Sequence, residues 1–353
     1  MSNWENLVRK VVPYTPGEQP KNTNVIKLNT NENPYPPAPG VREALQALSE
    51  DDVRRYPDPT IGRLVSALAN RAGVRPEQVF VGVGSDDVLA MAFLTFFNGE
   101  EPVLFPDITY SFYDVWADLF RIPYRCPALN DALQIDPADY LCPNGGIVLA
   151  NPNAPTGLLL ETESIEKIVA ANPDVVVIVD EAYIDFGGTS VLPLIDRYEN
   201  LLVVQTFSKS RSMAGMRIGC AYGSEKLIRY LLDAKYSFNS YTLNAAAIAA
   251  GTASVADEAY FAETVKKVVA TRERVKPLFA ELGFTFGDSM SNFLFVKHDH
   301  VPAKEIFTGL RKNNIFVRYF NKPRIDQYLR ITIGTDREMD ILLAFLRDML
   351  CKG

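Results

Sequence analysis

Residues 174–183 read DVVVIVDEAY, in which five consecutive apolar residues precede two carboxylates. An apolar run of this length, bounded by turn residues, is typical of a strand that is covered on both faces. Asp180 stands directly after the run, where an unpaired charge would be costly to bury. A structural salt bridge, a helix cap or a functional site would each provide the partner that this carboxylate needs. The stretch therefore predicts a buried strand and marks Asp180 as a candidate functional residue.

The same pattern recurs along the chain. Further strand candidates are EQVFVGVG at 77–84, EPVLFP at 101–106, GGIVLANP at 145–152 and LLVVQTFSK at 201–209. They alternate with helical stretches such as SDDVLAMAFLTFF at 85–97, for which Ser85 is the predicted N-cap. Strands that alternate with helices favour a mainly parallel sheet, so we expect an α/β domain.

Both ends of the chain differ from the middle. The segment 1–40 is rich in Pro and Asn, which disfavours long helices and central strands, so we expect an extended arm there. Residues 226–281 are predicted to be helical throughout, with an amphipathic stretch from Asp257 to Leu282. Beyond them the strand candidates NFLFVKH, IFVRYF and YLRITIG alternate with helical segments at 303–312 and 337–349. This pattern predicts a large domain at 41–250 and a smaller α+β domain at 251–353.

The composition excludes several classes of protein. A hydrophobic content of 47% with 22% charged residues is ordinary for a soluble chain, and a net charge of −7 argues against a nucleic-acid partner. The cysteines form no CxxC pair, which favours reduced thiols over disulfides or a zinc site. His298 and His300 lack a third ligand at fitting spacing, so no metal site is expected. Without a signal-like leader or a long apolar run, we expect a cytoplasmic protein with no membrane partner.

Polar residues follow the predicted strands, at the edge where open parallel sheets bind ligands. The segments concerned are 84–86, 107–110, 151–157, 180–183 and 206–209, together with Arg217. A lysine in low-dielectric surroundings attacks carbonyl groups, although Lys209 taken alone is more simply a solvated loop residue. Arginine and a helix N-terminus both suit phosphate. A Schiff-base lysine, a phosphate cradle and a carboxylate that keeps a pyridine nitrogen protonated are together what pyridoxal phosphate requires.

Several motifs resemble those of fold-type I aminotransferases, which depend on pyridoxal phosphate. They are NPNAPTG at 151–157, DEAY at 180–183, TFSKS at 206–210 with Arg217 eight residues after the lysine, and YLRITIG at 328–334. Their order and spacing match over nearly the whole chain. The resemblance implies a large domain with a mainly parallel seven-stranded sheet between helices, and a smaller α+β C-terminal domain. It also implies an extended N-terminal arm that packs on the small domain or on a partner subunit.

The motifs VPYTPG, LNTNENPYPP, RRYPDP and GVGSDD narrow the resemblance to the histidinol-phosphate aminotransferase family of histidine biosynthesis. The resemblance implies a homodimer that exchanges an amino group between histidinol phosphate and 2-oxoglutarate. The expected products are imidazole-acetol phosphate and glutamate, and the expected cofactor is pyridoxal 5'-phosphate.

The resemblance also implies roles for individual residues. Lys209 binds the cofactor aldehyde and carries a proton, Asp180 pairs with the ring nitrogen, and Tyr183 hydrogen-bonds the phenolic oxygen. The other implied cofactor contacts are Gly84, Ser85, Asp86, Tyr110 stacked on the ring, Thr206, Ser208, Arg217 and Tyr56 of the partner subunit. The implied substrate contacts are Tyr14, Asn33, Arg318 and Arg330. For Arg318, a charge on a strand edge is the simpler alternative.

One motif departs from the family pattern. The family reads NPNNPTG, and the asparagine directly before Pro-Thr-Gly contacts the phenolic oxygen of the cofactor. This chain has Ala154 at that position and Asn153 one place earlier. We expect Asn153 to lie near the ring, and the alternative is that Tyr183 makes the contact alone.

Other functions compete with this interpretation. An aromatic amino-acid aminotransferase or a threonine-phosphate decarboxylase would share the cofactor site and differ in the substrate pocket. A dinucleotide-binding oxidoreductase is disfavoured, because Asp87 occupies the third glycine position of GxGxxG in GVGSDD. A non-catalytic module on the same fold is disfavoured by the presence of Lys209, Asp180 and Arg217.

Overall fold

The computed structural model describes residues 3–21 and 24–350, which two β-sheets organise. In chain order the strands are β1 Ile26–Leu28, β2 Val79–Gly82, β3 Val103–Leu104, β4 Tyr124–Arg125, β5 Gly146–Ala150, β6 Val177–Asp180, β7 Leu201–Thr206, β8 Gly219–Tyr222, β9 Phe284–Phe286, β10 Phe293–His298, β11 Ile315–Tyr319 and β12 Leu329–Thr332. The helices are α1 Pro39–Gln46, α2 Glu50–Arg54, α3 Gly62–Ala72, α4 Ser85–Phe96, α5 Tyr113–Phe120, α6 Thr162–Ala171, α7 Glu225–Phe238, α8 Ala245–Ala256, α9 Glu258–Glu281, α10 Ala303–Lys312 and α11 Asp336–Leu350.

The larger sheet has seven strands in the order β2-β8-β7-β6-β5-β3-β4. The pairs from β7 through to β4 are parallel, and only β8 is antiparallel to its two neighbours. The mainly parallel α/β sheet predicted from the sequence is confirmed. The sequence pattern does not indicate β4 or β8, because β4 is an exposed two-residue edge strand and β8 contains Gly and Ala, which have weak strand preference.

Both faces of this sheet are buried. Val177 and Val179 of β6 pack into one hydrophobic cluster and Ile178 packs into another on the opposite face. Helices α3, α6 and α8 contribute to the first cluster, and α4, α5 and α7 contribute to the second. Successive side chains of a strand point to opposite faces, so a strand between two helical layers must be apolar throughout. The uninterrupted apolar run in DVVVIVDEAY has this cause.

The smaller sheet has the order β1-β11-β12-β10-β9 and is antiparallel except for the pair of β1 with β11. Helices α9, α10 and α11 pack on it in a third cluster. The N-terminal segment thus supplies an edge strand to a sheet formed mostly by the C-terminal part of the chain. The residues that follow β1 contact Thr332 of β12 on one side and Lys209, after β7, on the other.

The stretch 226–281 is not one continuous helix, contrary to the expectation. The structure divides it into α7, α8 and α9, with interruptions before Ala245 and at Asp257. Asn244 and Asp257 each accept a hydrogen bond from the backbone N–H three residues later, and such side-chain caps begin new helices. The helical pattern continues through these positions in the sequence, but the capping residues begin separate helices.

The hydrophobic clusters indicate where the chain passes from the larger sheet to the smaller sheet. Residues of α8 belong to a cluster of the larger sheet, whereas α9 from Val268 onwards belongs to the cluster of the smaller sheet. We therefore propose the division into an arm at 1–40, a large domain at 41–250 and a small domain at 251–353, with the changeover along α8 and α9. In the described part of the chain, no helix combines the length and apolar character that crossing a membrane requires.

Candidate active site

A cavity of about 210 Å³ lies at the carboxyl ends of β5, β6 and β7, beside the N-terminus of α4. Its lining residues are Thr30, Glu32, Ser85, Asp86, Tyr110, Ala150, Pro152, Ala154, Asp180, Ala182, Tyr183, Thr206, Ser208, Lys209, Ala214 and Arg217. The cavity thus brings together most of the cofactor contacts that the resemblance implies. It lies where open parallel sheets bind ligands, at the ends of the central strands.

One end of the cavity is suited to an anion. Gly84, with φ of 87°, is the N-cap of α4, and no side chain caps this helix; the expected cap, Ser85, is its first helical residue. A Cβ atom on Gly84 would lie 2.5 Å from Nη2 of Arg217, so only glycine permits this approach. Arg217 donates hydrogen bonds to Ser208 Oγ at 3.4 Å and to Asp86 Oδ2 at 3.3 Å. An uncapped helix N-terminus with an arginine beside it is a phosphate-binding arrangement.

Asp180 lies at the buried end of β6 with 5% of its surface exposed. Its carboxylate accepts hydrogen bonds from Tyr113 Oη at 2.8 Å and from the backbone N–H of Ala182 at 3.3 Å. Burial raises the pKa of Asp180 to about 6, and these hydrogen bonds oppose the rise. Among the described residues it makes no salt bridge, so the structural ion pair considered above is not formed. The carboxylate faces a cavity in which a cationic group would relieve its desolvation.

Lys209 follows β7 and lines the same cavity as Asp180. Its amine donates a hydrogen bond to the carbonyl oxygen of Thr30 at 3.1 Å and lies 5.6 Å from the centroid of the Tyr183 ring. The loop that carries it is held by Thr206, whose Oγ1 accepts a hydrogen bond from the N–H of Ser208 at 3.1 Å. The amine is partly buried, forms no salt bridge with any residue that the structure describes, and is directed by one neutral acceptor.

Tyr183 has a partner that the sequence analysis does not identify. Asn31, in the segment after β1, donates a hydrogen bond from Nδ2 to the Tyr183 hydroxyl at 2.9 Å. Asn33, the residue of this segment expected at the substrate, instead donates to the carbonyl oxygen of Ser210 at 3.1 Å and does not line the cavity. The motif NTNENP marks the segment as polar, but the direction of each asparagine depends on the pairing of β1.

The structure directs Asn153 away from the cavity. Its amide donates to the carbonyl oxygen of Ile108 at 2.9 Å and accepts from Thr109 Oγ1 at 2.8 Å. A further hydrogen bond joins it to Thr156 Oγ1 at 3.2 Å, and Ala154 lines the cavity in its place. Asn153 thus holds the turn that carries it and does not line the cavity, and its position near the ring stays a prediction.

Two of the other expected substrate residues, Tyr14 and Arg318, help to line a second cavity of about 470 Å³, together with Phe320. Tyr14 stacks on Phe112 with 4.1 Å between ring centroids. Arg318 hydrogen-bonds the carbonyl oxygens of Thr15 at 3.3 Å and Pro16 at 3.4 Å, which ties the N-terminal arm to the smaller sheet. Since β11 lies between β1 and β12, Arg318 is not on an edge strand.

Arg330 of β12 lies directly opposite Arg318 of β11. Its guanidinium is 5.4 Å from the ring of Phe293 and 5.6 Å from that of Phe320, and Nη2 donates to the carbonyl oxygen of Asn29 at 3.2 Å. Its Nε atom is buried and has no hydrogen-bond partner among the described residues, and burial lowers the pKa of Arg330. A partly buried cation with an unused donor, beside a second arginine, is suited to an anionic ligand.

Tyr56 does not reach the cavity of its own chain. It is 81% exposed and stacks on Tyr241 with 4.6 Å between ring centroids. Val53 and Phe238 are also strongly exposed, at 79% and 73%. A cofactor contact by Tyr56 therefore requires a second copy of the chain.

Comparisons with known proteins agree with this geometry. Residues 23–346 match the family model for aminotransferase class I and II. The chain is 52% identical over 350 residues to histidinol-phosphate aminotransferase 2 of Dechloromonas aromatica, with 98% of each chain covered. It is 49% identical over 348 residues to histidinol-phosphate aminotransferase of Lactococcus lactis subsp. cremoris, covering 99% of this chain and 98% of the relative. The crystal structure of histidinol-phosphate aminotransferase from Sinorhizobium meliloti in complex with pyridoxal-5'-phosphate superposes with a TM-score of 0.84 and 25% identity, covering 93% of this chain and 91% of that one.

Proposed function

We propose that this protein transfers an amino group between L-histidinol phosphate and 2-oxoglutarate. The chain belongs to the aminotransferase class I and II family and, within it, to the histidinol-phosphate aminotransferases. The products are imidazole-acetol phosphate and L-glutamate. The observation that carries the proposal is the convergence of Lys209, Asp180 and Arg217 on one cavity of about 210 Å³. A reactive amine, a buried carboxylate and a phosphate-binding helix end are the groups that pyridoxal phosphate needs.

The cofactor is pyridoxal phosphate, and the residues of the cavity fit it. When bound, it supplies an electron sink for the carbon that carries the amino group. The backbone N–H groups at Ser85 and Asp86 would hold its phosphate together with Ser208 and Arg217, since these groups already surround the uncapped start of α4. Gly84 keeps the space for the guanidinium open.

Four side chains would act on the cofactor ring and the reacting atoms. Lys209 would bind the aldehyde and, when free, would move a proton to and from the substrate α-carbon. Asp180 would keep the proton on the ring nitrogen, and a cationic ring would give this buried carboxylate the partner that the protein does not provide. Tyr183 would donate its hydroxyl proton to the phenolic oxygen and Tyr110 would stack on the ring, while Thr206 supports the lysine loop.

Two paired arginines of the smaller sheet would supply the substrate contacts. Arg330 and Arg318 would bind the phosphate of histidinol phosphate in one half-reaction and a carboxylate of 2-oxoglutarate in the other. A phosphate gains more than a carboxylate from a second arginine, through charge-assisted and often bidentate hydrogen bonds. Tyr14, which lines the second cavity with Arg318, supports the choice of a phosphorylated amine over an aromatic amino acid. Because both substrates would use the same arginines in turn, we expect ping-pong kinetics.

We further propose a cytoplasmic homodimer. Tyr56 of the partner subunit would reach the cofactor phosphate, which explains why this aromatic side chain is exposed in the isolated chain. A solution mass measurement tests the dimer, and Tyr56→Phe, mixed with subunits that lack Lys209, tests whether the tyrosine acts across the interface.

The test of the proposed function is a visible absorption spectrum of the protein with pyridoxal phosphate. Adding histidinol phosphate without a keto acid should convert the band of the lysine-bound cofactor to that of the pyridoxamine form, and 2-oxoglutarate should reverse the change. A spectrum that responds only to phenylalanine would move the function to an aromatic amino-acid aminotransferase. Carbon dioxide release from threonine phosphate without glutamate formation would make the protein a decarboxylase.

A further inference from the structure

The segment after β1 places one buried amide against the candidate active site. Asn31 is 1% exposed and has a φ of 57°, a left-handed conformation that few residues other than Gly and Asn adopt readily. Its carbonyl oxygen accepts a hydrogen bond from Asn292 Nδ2 at 3.0 Å. Its side chain therefore sits at a fixed place in the packing between the smaller sheet and the cavity.

The orientation of this amide follows from its contacts with Thr332. The backbone N–H of Asn31 donates to Thr332 Oγ1 at 3.0 Å, so the threonine hydroxyl is free to donate its own proton elsewhere. It donates to Asn31 Oδ1, also at 3.0 Å. The amide oxygen is thus turned toward Thr332 and the NH₂ group toward Tyr183, and the reverse orientation would leave the hydroxyl proton of Thr332 without the acceptor that it has here.

The direction of the hydrogen bond to Tyr183 then follows. An amide NH₂ group only donates, so the Tyr183 oxygen accepts at 2.9 Å and its single proton must point elsewhere. Among the described residues this proton has no acceptor. The side chain of Tyr183 lines the cavity, and Ala154, which also lines it, offers only a methyl group.

We propose that Asn31 is a positioning residue that holds the Tyr183 hydroxyl as a donor toward the ring oxygen of the bound cofactor. Thr332 fixes the orientation of Asn31, and Asn31 fixes that of the tyrosine proton. The inference rests on the proposed cofactor site. It adds a chain of hydrogen bonds that leads from β12 of the smaller sheet to the ring, through side chains that are far apart in the sequence. Asn31 acts through Tyr183 and takes no part in the chemical steps.

The measurable consequence is a shift in the pH at which the absorption of the lysine-bound cofactor changes. A hydrogen bond to the ring oxygen withdraws negative charge from it and lets the linkage to Lys209 lose its proton at lower pH. Weakening this bond should raise the pH midpoint by about half a unit, the order expected for part of one charge-assisted hydrogen bond. This absorption is measured on the holoenzyme without substrate, so the result does not depend on turnover.

Two substitutions separate positioning from simple support. Asn31→Gly tolerates the left-handed backbone and removes the amide, so the midpoint should rise. Asn31→Asp keeps the shape but replaces the donor by a carboxylate, which forces Tyr183 to donate to it and away from the ring. The midpoint should therefore rise more in Asn31→Asp than in Asn31→Gly. Thr332→Val, which frees the amide to rotate, should give a smaller rise in the same direction and remains informative where a variant at Asn31 does not fold.

A double-mutant cycle with Tyr183→Phe completes the test. Once the hydroxyl is absent, Asn31→Gly should shift the midpoint no further. The inference would be overturned if Asn31→Gly left the pH midpoint unchanged, or if it still shifted the midpoint in the Tyr183→Phe background. Either result would leave the proposed function intact. A wild-type protein that shows no band of lysine-bound cofactor would overturn both.

Discussion

The candidate site is formed by two groups of residues of different origin, the strand-end wall around the cavity and the second wall beside it. In the strand-end wall, Asp180 ends β6, while Ser85 and Lys209 come shortly after β2 and β7; they meet because these three strands run in the same direction and end at the same edge of the larger sheet. The second wall consists of Asn31, Arg318 and Arg330, which belong to the segment after β1 and to the smaller sheet and do not line the cavity themselves. The first wall carries the groups that suit a cofactor, and the second carries those that orient the tyrosine and attract an anionic substrate. Substitutions in the two walls should therefore have separable effects.

The largest effect is expected at Lys209, in the strand-end wall. Lys209→Ala removes both the amine that holds the aldehyde and the base that moves the proton, so kcat should fall by at least about 10³-fold. The phosphate end should still retain some pyridoxal phosphate. Steady-state rates and bound cofactor are measured together, with Lys304→Ala on the exposed face of α10 as the control. Full turnover by Lys209→Ala would contradict the assignment.

The next effect separates cofactor binding from substrate binding. Arg217→Ala removes the guanidinium beside the start of α4, and the Kd for pyridoxal phosphate should rise by about 100-fold, as expected for the loss of charge-assisted hydrogen bonds. Titration of the apoprotein by absorbance measures this. Arg197→Ala is the matched control, because Arg197 pairs with Glu166 on the surface and does not line the cavity. Equal affinities of wild type and Arg217→Ala for pyridoxal phosphate would show that Arg217 does not bind the cofactor phosphate.

A substitution in the second wall should show the opposite pattern. Arg318→Ala should lower kcat/KM for histidinol phosphate by about 30-fold, chiefly through KM, and leave the affinity for pyridoxal phosphate unchanged. The ratio of kcat/KM for histidinol phosphate to that for the unphosphorylated amine isolates the contribution of the phosphate. Parallel losses of cofactor and substrate binding would show that the two walls are not independent, or that Arg318 supports the fold.

The smallest effect concerns the pH dependence of stability. The pKa of Asp180 is raised from 3.8 to about 6 in the folded apoprotein, so between these values the folded state keeps a proton that the unfolded state has lost. Stability therefore falls as the pH rises through this window, by about 1 kcal/mol per pH unit. Asp180→Asn should flatten the dependence, and so should pyridoxal phosphate, whose cationic ring favours the carboxylate. Denaturant unfolding at several pH values measures the slope; an unchanged slope in Asp180→Asn would contradict the origin assigned to it.

Glu181 provides an internal reference for that measurement. Burial raises the pKa of Glu181 to about 7, although hydrogen bonds from Ser190 and Gln205 oppose the rise. Its contribution to the slope is present in both proteins and cancels in their difference. The two neighbouring carboxylates thus have different roles: Asp180 faces the cavity, whereas Glu181 is hydrogen-bonded to side chains inside the fold.

The strand-end wall is accessible to sequence reasoning because its information is local. In DVVVIVDEAY the apolar run predicts the buried strand, and the next residue is the carboxylate that reaches the cavity. The same holds for LLVVQTFSK and for the turn GVGSDD before α4. The helix breaks at Asn244 and Asp257 are less evident, because a capping side chain is polar and fits the exposed face of an amphipathic helix equally well.

The sequence by itself determined the alternation of strands and helices, the polar residues at the strand ends and the chemistry that they suggest, because each depends on neighbours in the chain. Only the tertiary structure decided that Asn31 bonds Tyr183 across 152 positions and Thr332 across 301. It also decided that Asn153 turns away from the cavity. Such contacts exist only after β1 pairs with β11, and the direction of a side chain then follows from the donors and acceptors that surround it.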